Sequence, residues 1–170
     1  MIMNMIFLED DLVIRNNYSI YLKKFFTNVF EASNAIEALE IYQKNNIYFM
    51  LVDIEMEGMN GIDFIKKIRE FDSKVLIVIM SAYDNKSYLM EAIKLNLFEY
   101  IIKPISKDSF QNTISNVLEK LKNEEKVILT NNYIWDIKNE KLFFNTQEII
   151  LTKNEMILFK NFGLIKKNSG

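Results

Sequence analysis

Short apolar runs alternate with stretches of helical periodicity over the first two thirds of the chain. Five of these runs end in polar or turn-forming residues, which is typical of strands buried on both faces. The predicted strands are Met3–Leu8, Val29–Ala32, Tyr48–Val52, Val75–Met80 and Phe98–Ile102. Apolar residues at three- and four-residue spacing predict a helix after each strand. These helices are expected over about 12–26, after a cap at Ser33 or Asn34, after Gly61, over about 85–95, and from Phe110 to Leu121.

Alternating strands and helices predict an α/β fold with a doubly wound five-stranded parallel sheet, covered on both faces. In such a sheet each crossover is right-handed. The carboxyl ends of the strands open into a crevice where ligands bind. Residues that follow the strands are therefore the first candidates for chemistry.

The pattern changes after Leu121. A charged segment, Lys122–Lys126, is followed by short strand-like runs with polar turns between them, which favours an antiparallel meander. These runs are Val127–Leu129, Tyr133–Ile137, Lys141–Phe144 and Glu148–Leu151. Thr152 and Glu155 have the spacing of a capping box, so a short amphipathic helix is expected after Thr152. Its apolar residues are Met156, Ile157, Phe159 and Phe162.

Charge supports a division of the chain into two units. Acidic residues are in excess over residues 1–120, and basic residues are in slight excess over residues 121–170. We expect one domain over residues 1–122, a linker over 123–126 and a second unit over 127–170. The basic excess is too small to indicate nucleic-acid binding by itself.

The 170-residue chain contains no cysteine and no histidine. Disulfides and metal sites built on thiolate or imidazole are therefore excluded. Any metal must be held by oxygen, which favours Mg²⁺, Ca²⁺ or Mn²⁺. The N-terminus lacks the basic leader of a signal peptide, and no apolar run reaches the roughly 18 residues of a membrane span. A cytoplasmic protein without membrane contact is expected.

Polar residues follow four strands that can be neighbours in the sheet: Glu9 and Asp10, Asp53, Ser81, and Lys103. Three carboxylates in one crevice repel one another, and a divalent cation would neutralise them. Mg²⁺ prefers oxygen ligands in an octahedron. We expect direct ligation by Asp10 and Asp53, a third oxygen from the backbone carbonyl of Glu55, and Glu9 acting through water. Asp11 is interpreted as a solvated acid in the first turn of the helix.

One of these carboxylates could also be a nucleophile, because an aspartate that attacks phosphorus forms an acyl phosphate. The charge of a transferring phosphoryl group must be countered. Mg²⁺ and the Lys103 ammonium would do so from two sides, and the Ser81 hydroxyl would hydrogen-bond a phosphoryl oxygen. Asp53 is the central candidate.

This set of residues resembles the receiver domain of two-component response regulators. The resemblance covers about residues 1–122 and is carried by FLEDD (7–11), DIEMEGMNG (53–61), MSA (80–82) and YIIKP (100–104). It implies a flavodoxin-like fold and Mg²⁺ bound by the acidic pair. It also implies that Asp53 takes phosphate from a sensor kinase's phosphohistidine, with Ser81 and Lys103 on the phosphoryl group. Tyr100 takes the aromatic switch position. Glu57 stands where the family commonly has proline.

Residues 128–159 resemble the start of an OmpR/PhoB-type winged-helix effector domain, with Leu151–Glu155 at the start of its first helix. Reading of DNA by such domains requires a recognition helix. Residues up to Gly170 supply only the N-terminal sheet and first helix, so DNA binding is not carried over. A sheet with one helix is expected to expose Leu151, Met156, Phe159 and Phe162, which favours mobility or packing on the sheet or a second copy.

The resulting hypothesis is a phosphoacceptor signalling protein, not an enzyme, whose partner is a sensor histidine kinase. A homodimer through the fourth helix, fifth strand and fifth helix is possible, and the apolar segment Leu95–Phe98 is either a partner patch or buried. One alternative is a DNA-binding transcription regulator whose remaining part lies beyond Gly170. Another is a Mg²⁺-dependent aspartyl-phosphate phosphatase with Glu55 as its second carboxylate.

Overall fold

The computed structural model describes residues 3–82, 86–123, 126–128, 132–137, 139–145 and 147–168. The chain divides into two compact units, residues 2–117 and residues 118–170. None of the helices within the described ranges is long and apolar enough to cross a lipid bilayer.

The first unit contains a five-stranded parallel sheet in which the second, first, third, fourth and fifth strands of the chain lie side by side in that order. This confirms the predicted doubly wound fold. Its strands are β1 (Asn4–Leu8), β2 (Asn28–Ala32), β3 (Phe49–Asp53), β4 (Leu76–Ser81) and β5 (Glu99–Ile102). The helices are α1 (Leu12–Leu22), α2 (Ala35–Lys44), α3 (Gly61–Arg69), α4 (Lys86–Lys94) and α5 (Lys107–Asn123), the last of which crosses the division between the units.

The core lies on the central strands, since every residue of β3 and β4 is buried. Helix α3 contributes a continuous apolar face of Ile62, Phe64, Ile65 and Ile68, all at most 1% exposed. Burial of each such side chain stabilises the fold by about 2 kcal/mol. The buried sheet therefore forms a rigid base for the groups at the ends of its strands.

Helix α1 is shorter than predicted, because it ends at Leu22. Residues 23–25 form turns, and Phe26 is a core residue that stacks on Phe49 with ring centroids 5.4 Å apart. Asp11 is exposed, as predicted, but it is the N-cap of α1 and not an acid of its first turn. Its carboxylate caps α1 by accepting hydrogen bonds from the backbone of Val13 and Ile14 at 2.7 and 2.9 Å.

Asn34, not Ser33, is the N-cap of α2, and its side chain accepts a hydrogen bond from the Glu37 amide at 3.0 Å. In the segment Leu95–Phe98 the apolar side chains are partly buried, and a partner patch there stays a prediction. Leu95 and Leu97 pack against the hydrophobic core.

In its described residues, the second unit contains a four-stranded antiparallel sheet, whose strands lie side by side in chain order, and a helix after the last strand. Its elements are β6 (Lys126–Ile128), β7 (Tyr133–Asp136), β8 (Lys141–Phe144), β9 (Gln147–Ile149) and α6 (Lys153–Asn168). The capping box is present, because Glu155 Oε2 accepts hydrogen bonds from the Thr152 amide at 2.8 Å and hydroxyl at 2.7 Å. Helix α6 has 16 residues, so the expectation of a short helix was wrong.

Phe159 in α6 stacks on Trp135 in β7, with ring centroids 5.3 Å apart. This contact corrects the expected set of exposed apolar residues, because Leu151, Met156 and Phe159 are all partly buried. The side chain of Phe162 lies outside the described part of the unit. Ile150, Ile157 and Leu158 are exposed instead, at 93%, 57% and 68%. The helix thus turns Met156 and Phe159, two of its predicted apolar residues, towards the sheet, and it leaves Ile157 exposed.

Candidate functional site

Backbone pairing brings the strand ends of the first unit to one edge of the sheet. Strands β1 and β3 pair in parallel with Leu8 opposite Val52, so Glu9 and Asp53 follow neighbouring positions. The amide of Lys103 donates to the carbonyl of Ser81 at 2.7 Å, which extends the β4–β5 ladder past β5. The carboxyl-edge cluster, defined here as Glu9, Asp10, Asp53 and Lys103, lies on this edge.

Lys103 joins the two buried carboxylates of the carboxyl-edge cluster. Its Nζ lies 2.9 Å from Glu9 Oε2 and 2.8 Å from Asp53 Oδ2. Glu9 is 1% exposed and Asp53 is 4% exposed. Charge-assisted hydrogen bonds of this length are strong in a site shielded from water. One ammonium group thus holds the ends of β1 and β3 together from the end of β5.

Carboxylate oxygens of Glu9, Asp10 and Asp53 lie within 4.8 Å of one another. Asp10 is exposed, so the cluster opens to solvent on that side. Three carboxylates against one ammonium leave an excess of negative charge. A set of converging oxygen donors fits a small hard cation such as Mg²⁺ or Mn²⁺. The structure therefore brings together the acidic residues that the sequence singled out.

Burial raises the pKa of Glu9 to about 7, and the neighbouring negative charge of Asp53 adds to the rise. Lys103 acts in the opposite direction on this carboxyl without cancelling the effect of burial. Burial by itself would lower the pKa of Lys103, but its hydrogen bonds to Asp53 and Glu9 raise the pKa above its ordinary value. The cluster is thus short of positive charge near neutral pH.

Gly61 is a residue of the site that the sequence reasoning treated only as a turn signal. A Cβ atom at this position would lie 2.2 Å from the backbone oxygen of Asp53. The Gly61 amide also donates to the carbonyl of Ile54 at 3.0 Å. The first turn of α3 can therefore approach the end of β3 only because residue 61 has no side chain.

Ser81 is the last residue of β4 and is fully buried, one position beyond the Met80 that pairs with Asp53. Tyr100 lies in β5 opposite Ile79 and packs, partly buried, against the core. Glu55 is partly buried, and its amide donates to Asp53 Oδ1 at 3.3 Å. Glu57, the departure from the family pattern, is exposed.

Arg15 is a second residue that the sequence reasoning missed. From the first turns of α1 its Nη1 donates to the carbonyl oxygen of Glu9, and to that of Asp10 at 3.2 Å. The only signal for it in the sequence was a basic residue one to two helical turns after the acidic pair Glu9–Asp10.

Comparison with known proteins bears on this arrangement. The sequence profile of the response regulator receiver domain matches residues 5–115. Chemotaxis protein CheY of Halobacterium salinarum is 31% identical over 110 residues, which cover 65% of this chain and 92% of that protein. The solved REC domain of AraT, a response regulator from Geobacillus stearothermophilus, superposes with a TM-score of 0.66 at 30% identity, over 74% of this chain and 100% of that chain.

A cyclic di-GMP phosphodiesterase of Thermotoga maritima is 29% identical over 160 residues. That match covers 93% of this chain but 42% of the relative. The chain likewise spans less than half the length of two further curated relatives. The shared part is therefore one portion of longer proteins.

Proposed function

The chain belongs to the response regulator receiver family, and we propose that Asp53 accepts a phosphoryl group from the phosphohistidine of a sensor histidine kinase. The observation that carries this proposal is the convergence of Glu9, Asp10 and Lys103 on Asp53. A buried carboxylate beside acidic groups that can hold a cation and a lysine ammonium suits an acceptor of phosphate.

In the proposed step a carboxylate oxygen of Asp53 forms a bond to phosphorus while the bond from phosphorus to the imidazole nitrogen breaks. The electron pair of the broken bond stays on the imidazole, which takes up a proton from water. Lys103 then exchanges its hydrogen bond with Asp53 for one with a phosphoryl oxygen. Ser81 hydrogen-bonds a second phosphoryl oxygen.

We propose that Asp10, Asp53 and the backbone carbonyl of Glu55 hold Mg²⁺, with Glu9 bound through water. When bound, the cation supplies positive charge against the phosphoryl oxygens. The fit rests on the oxygen-only donor set and on the excess of carboxylates over ammonium groups in the carboxyl-edge cluster.

Phosphorylation adds roughly one to two negative charges. In our proposal Ser81 moves towards them, Tyr100 turns inward, and the surface formed by α4, β5 and α5 changes. Exposed apolar residues on this surface support a role in homodimer or partner contacts: Met90 at 61%, Ile93 at 69% and Ile102 at 48%.

We propose a receiver over residues 1–122, a linker over 123–126 and an output segment over 127–170. A winged-helix start is one candidate for the output segment, and DNA binding then requires a recognition helix from further chain. The Thermotoga relative favours a second candidate, an output that acts on a cyclic dinucleotide. Its 160 aligned residues must extend beyond residue 117 into the second unit.

The proposed setting is the cytoplasm, and the proposed role is signalling without catalytic turnover. Incubation with a radiolabelled small phosphodonor and Mg²⁺ tests the acceptor. We expect up to one label per chain in the wild type, none on Asp53→Asn, and wild-type labelling of Asp108→Asn, which alters an exposed acid in the first turn of α5. Label retained on Asp53→Asn would reject Asp53. Release of phosphate over many cycles would favour the aspartyl-phosphate phosphatase.

A further inference from the structure

We propose that Arg15 is a positioning residue for the metal site, acting through the backbone of Glu9 and Asp10. The proposal rests on the function proposed above, because it assumes that the carboxyl-edge cluster binds a divalent cation. It adds a residue outside the acidic set, without which the two carboxylates would be poorly aimed at Asp53.

The geometry of the turn between β1 and α1 points to this role. Both hydrogen-bond acceptors of Arg15 are carbonyl oxygens of residues that carry the carboxylates, Glu9 and Asp10. The Arg15 amide donates to the carbonyl of Asp11 at 2.9 Å, so α1 holds the base of the arginine side chain. One guanidinium therefore links the helix to two consecutive peptide groups of the turn.

The other side of the turn is held separately. The Glu9 amide donates to the carbonyl of Ala32 at 3.1 Å, and the Asp11 carboxylate caps α1. The carbonyl groups of Glu9 and Asp10 lie between these two attachments and are held by Arg15. Asp10 is exposed, so the direction of its carboxylate depends on the backbone that carries it. Groups that orient a ligand typically change metal affinity roughly 10- to 100-fold when removed.

The charge of Arg15 and its position in the turn lead to opposite predictions for the metal affinity of a variant that lacks it. The proposal can therefore be tested. A guanidinium near the cluster repels a divalent cation, so removal of its charge alone would tighten binding. If Arg15 acts by holding the turn, its removal weakens binding despite the lost repulsion. The sign of the change therefore separates the two roles.

The experiment is a Mn²⁺ titration of the full chain followed by electron paramagnetic resonance of the free ion, since Mn²⁺ shares the oxygen preference of Mg²⁺. Arg15→Met removes all donors, Arg15→Lys keeps the charge with a single ammonium, and Lys24→Met removes a positive charge from an exposed position just after α1. We expect Kd to rise about tenfold for Arg15→Met and by less for Arg15→Lys. Lys24→Met is expected to stay within about twofold of the wild type, because its charge is solvent-screened.

Unchanged or tighter binding by Arg15→Met would overturn the proposal while leaving the metal site intact. Absence of Mn²⁺ binding by the wild type would instead overturn the metal site and the proposed function. If Arg15→Met does not fold, Arg15→Lys decides, because a wild-type Kd in that variant would show that two-point attachment of the turn is unnecessary.

Discussion

Two polar clusters lie at opposite edges of the same parallel sheet, and they differ in how their charges are satisfied. The carboxyl-edge cluster has three carboxylates and one ammonium group. The amino-edge cluster, defined as Tyr42, Arg69 and Asp72, lies where β4 and β5 begin. Its guanidinium donates to four carbonyl oxygens at 2.7 to 3.0 Å, those of Leu95, Asp72, Val75 and Asn96.

The carboxylate of the amino-edge cluster, that of Asp72, also has several hydrogen-bond donors. Asp72 accepts hydrogen bonds from the Tyr42 hydroxyl at 2.5 Å and from the amides of Lys74 and Val75 at 2.6 and 2.9 Å. Burial acts to raise the pKa of Asp72, but these hydrogen bonds together lower it below its ordinary value. Glu9 at the other edge has its pKa raised.

This contrast separates a structural cluster from one that can carry chemistry. At the amino edge, the Asp72 carboxylate has enough donors to favour its ionised form. Burial lowers the pKa of Arg69, but its guanidinium donates to four carbonyl groups and ties the loops before β4 and β5 together. At the carboxyl edge, burial and mutual repulsion leave negative charge in excess, which favours binding of a cation.

The largest expected effect follows from the close approach beneath the carboxyl-edge cluster. Gly61→Ala places a methyl group against the backbone of Asp53, so we expect a loss of at least about 3 kcal/mol in the free energy of unfolding. Urea denaturation measures it. Gly58→Ala is the control, because Gly58 has open space around it and a φ of 86°. The control should lose about 1 kcal/mol. Equal losses in the two variants would show that the contact with Asp53 is unimportant.

The second-largest effect is expected from removal of the guanidinium from the amino-edge cluster. Arg69→Met removes the guanidinium donor of four carbonyl groups, three of them in partly buried hydrogen bonds, and we expect a loss of about 2 kcal/mol in the free energy of unfolding. Lys67→Met, at an exposed position on the same helix, should change it little. Mn²⁺ affinity should stay unchanged in both variants. Weaker Mn²⁺ binding by Arg69→Met would show that the two edges are coupled, and it would contradict the purely structural role of the amino-edge cluster.

A smaller, pH-dependent effect is expected for Glu9→Gln. The pKa of Glu9 is about 7 in the folded protein and 4.5 in the reference state, so between these values the folded chain binds more protons. The stabilising contribution of the proton on Glu9 is therefore complete below about pH 4.5 and is lost as the pH rises through 7. In the absence of metal, the free energy of unfolding of Glu9→Gln, relative to that of the wild type, should increase by on the order of 1 kcal/mol from pH 5 to pH 8.

Thermal unfolding at both pH values measures this gain, and saturating Mg²⁺ should reduce it by favouring the charged carboxylate. Asp63→Asn, an exposed acid in the first turn of α3, is the control and should show no such gain. A gain of the same size in the control would mean that burial of Glu9 is not its cause.

The sequence predicted the order of elements and the members of the carboxyl-edge cluster for the same reason. A parallel sheet brings the ends of its strands to one edge, so Glu9, Asp53 and Lys103 must meet once the strands are identified. Element ends follow from a different kind of contact. The apolar residues near the end of α1 and those of α6 satisfy a helical pattern whether they face a neighbouring helix, the sheet or solvent, and periodicity alone does not choose between these.

The order of residues along the chain is enough to establish the available chemistry: an oxygen-only set of donors, one lysine at the right strand end, and the family to which residues 5–115 belong. How that chemistry is held becomes visible only in the folded chain. Gly61 against Asp53, Arg15 on two carbonyl groups and Arg69 on four are contacts between backbone and residues distant in space. Such contacts depend on the shape of the folded chain, and no residue pattern encodes which carbonyl group an arginine will reach.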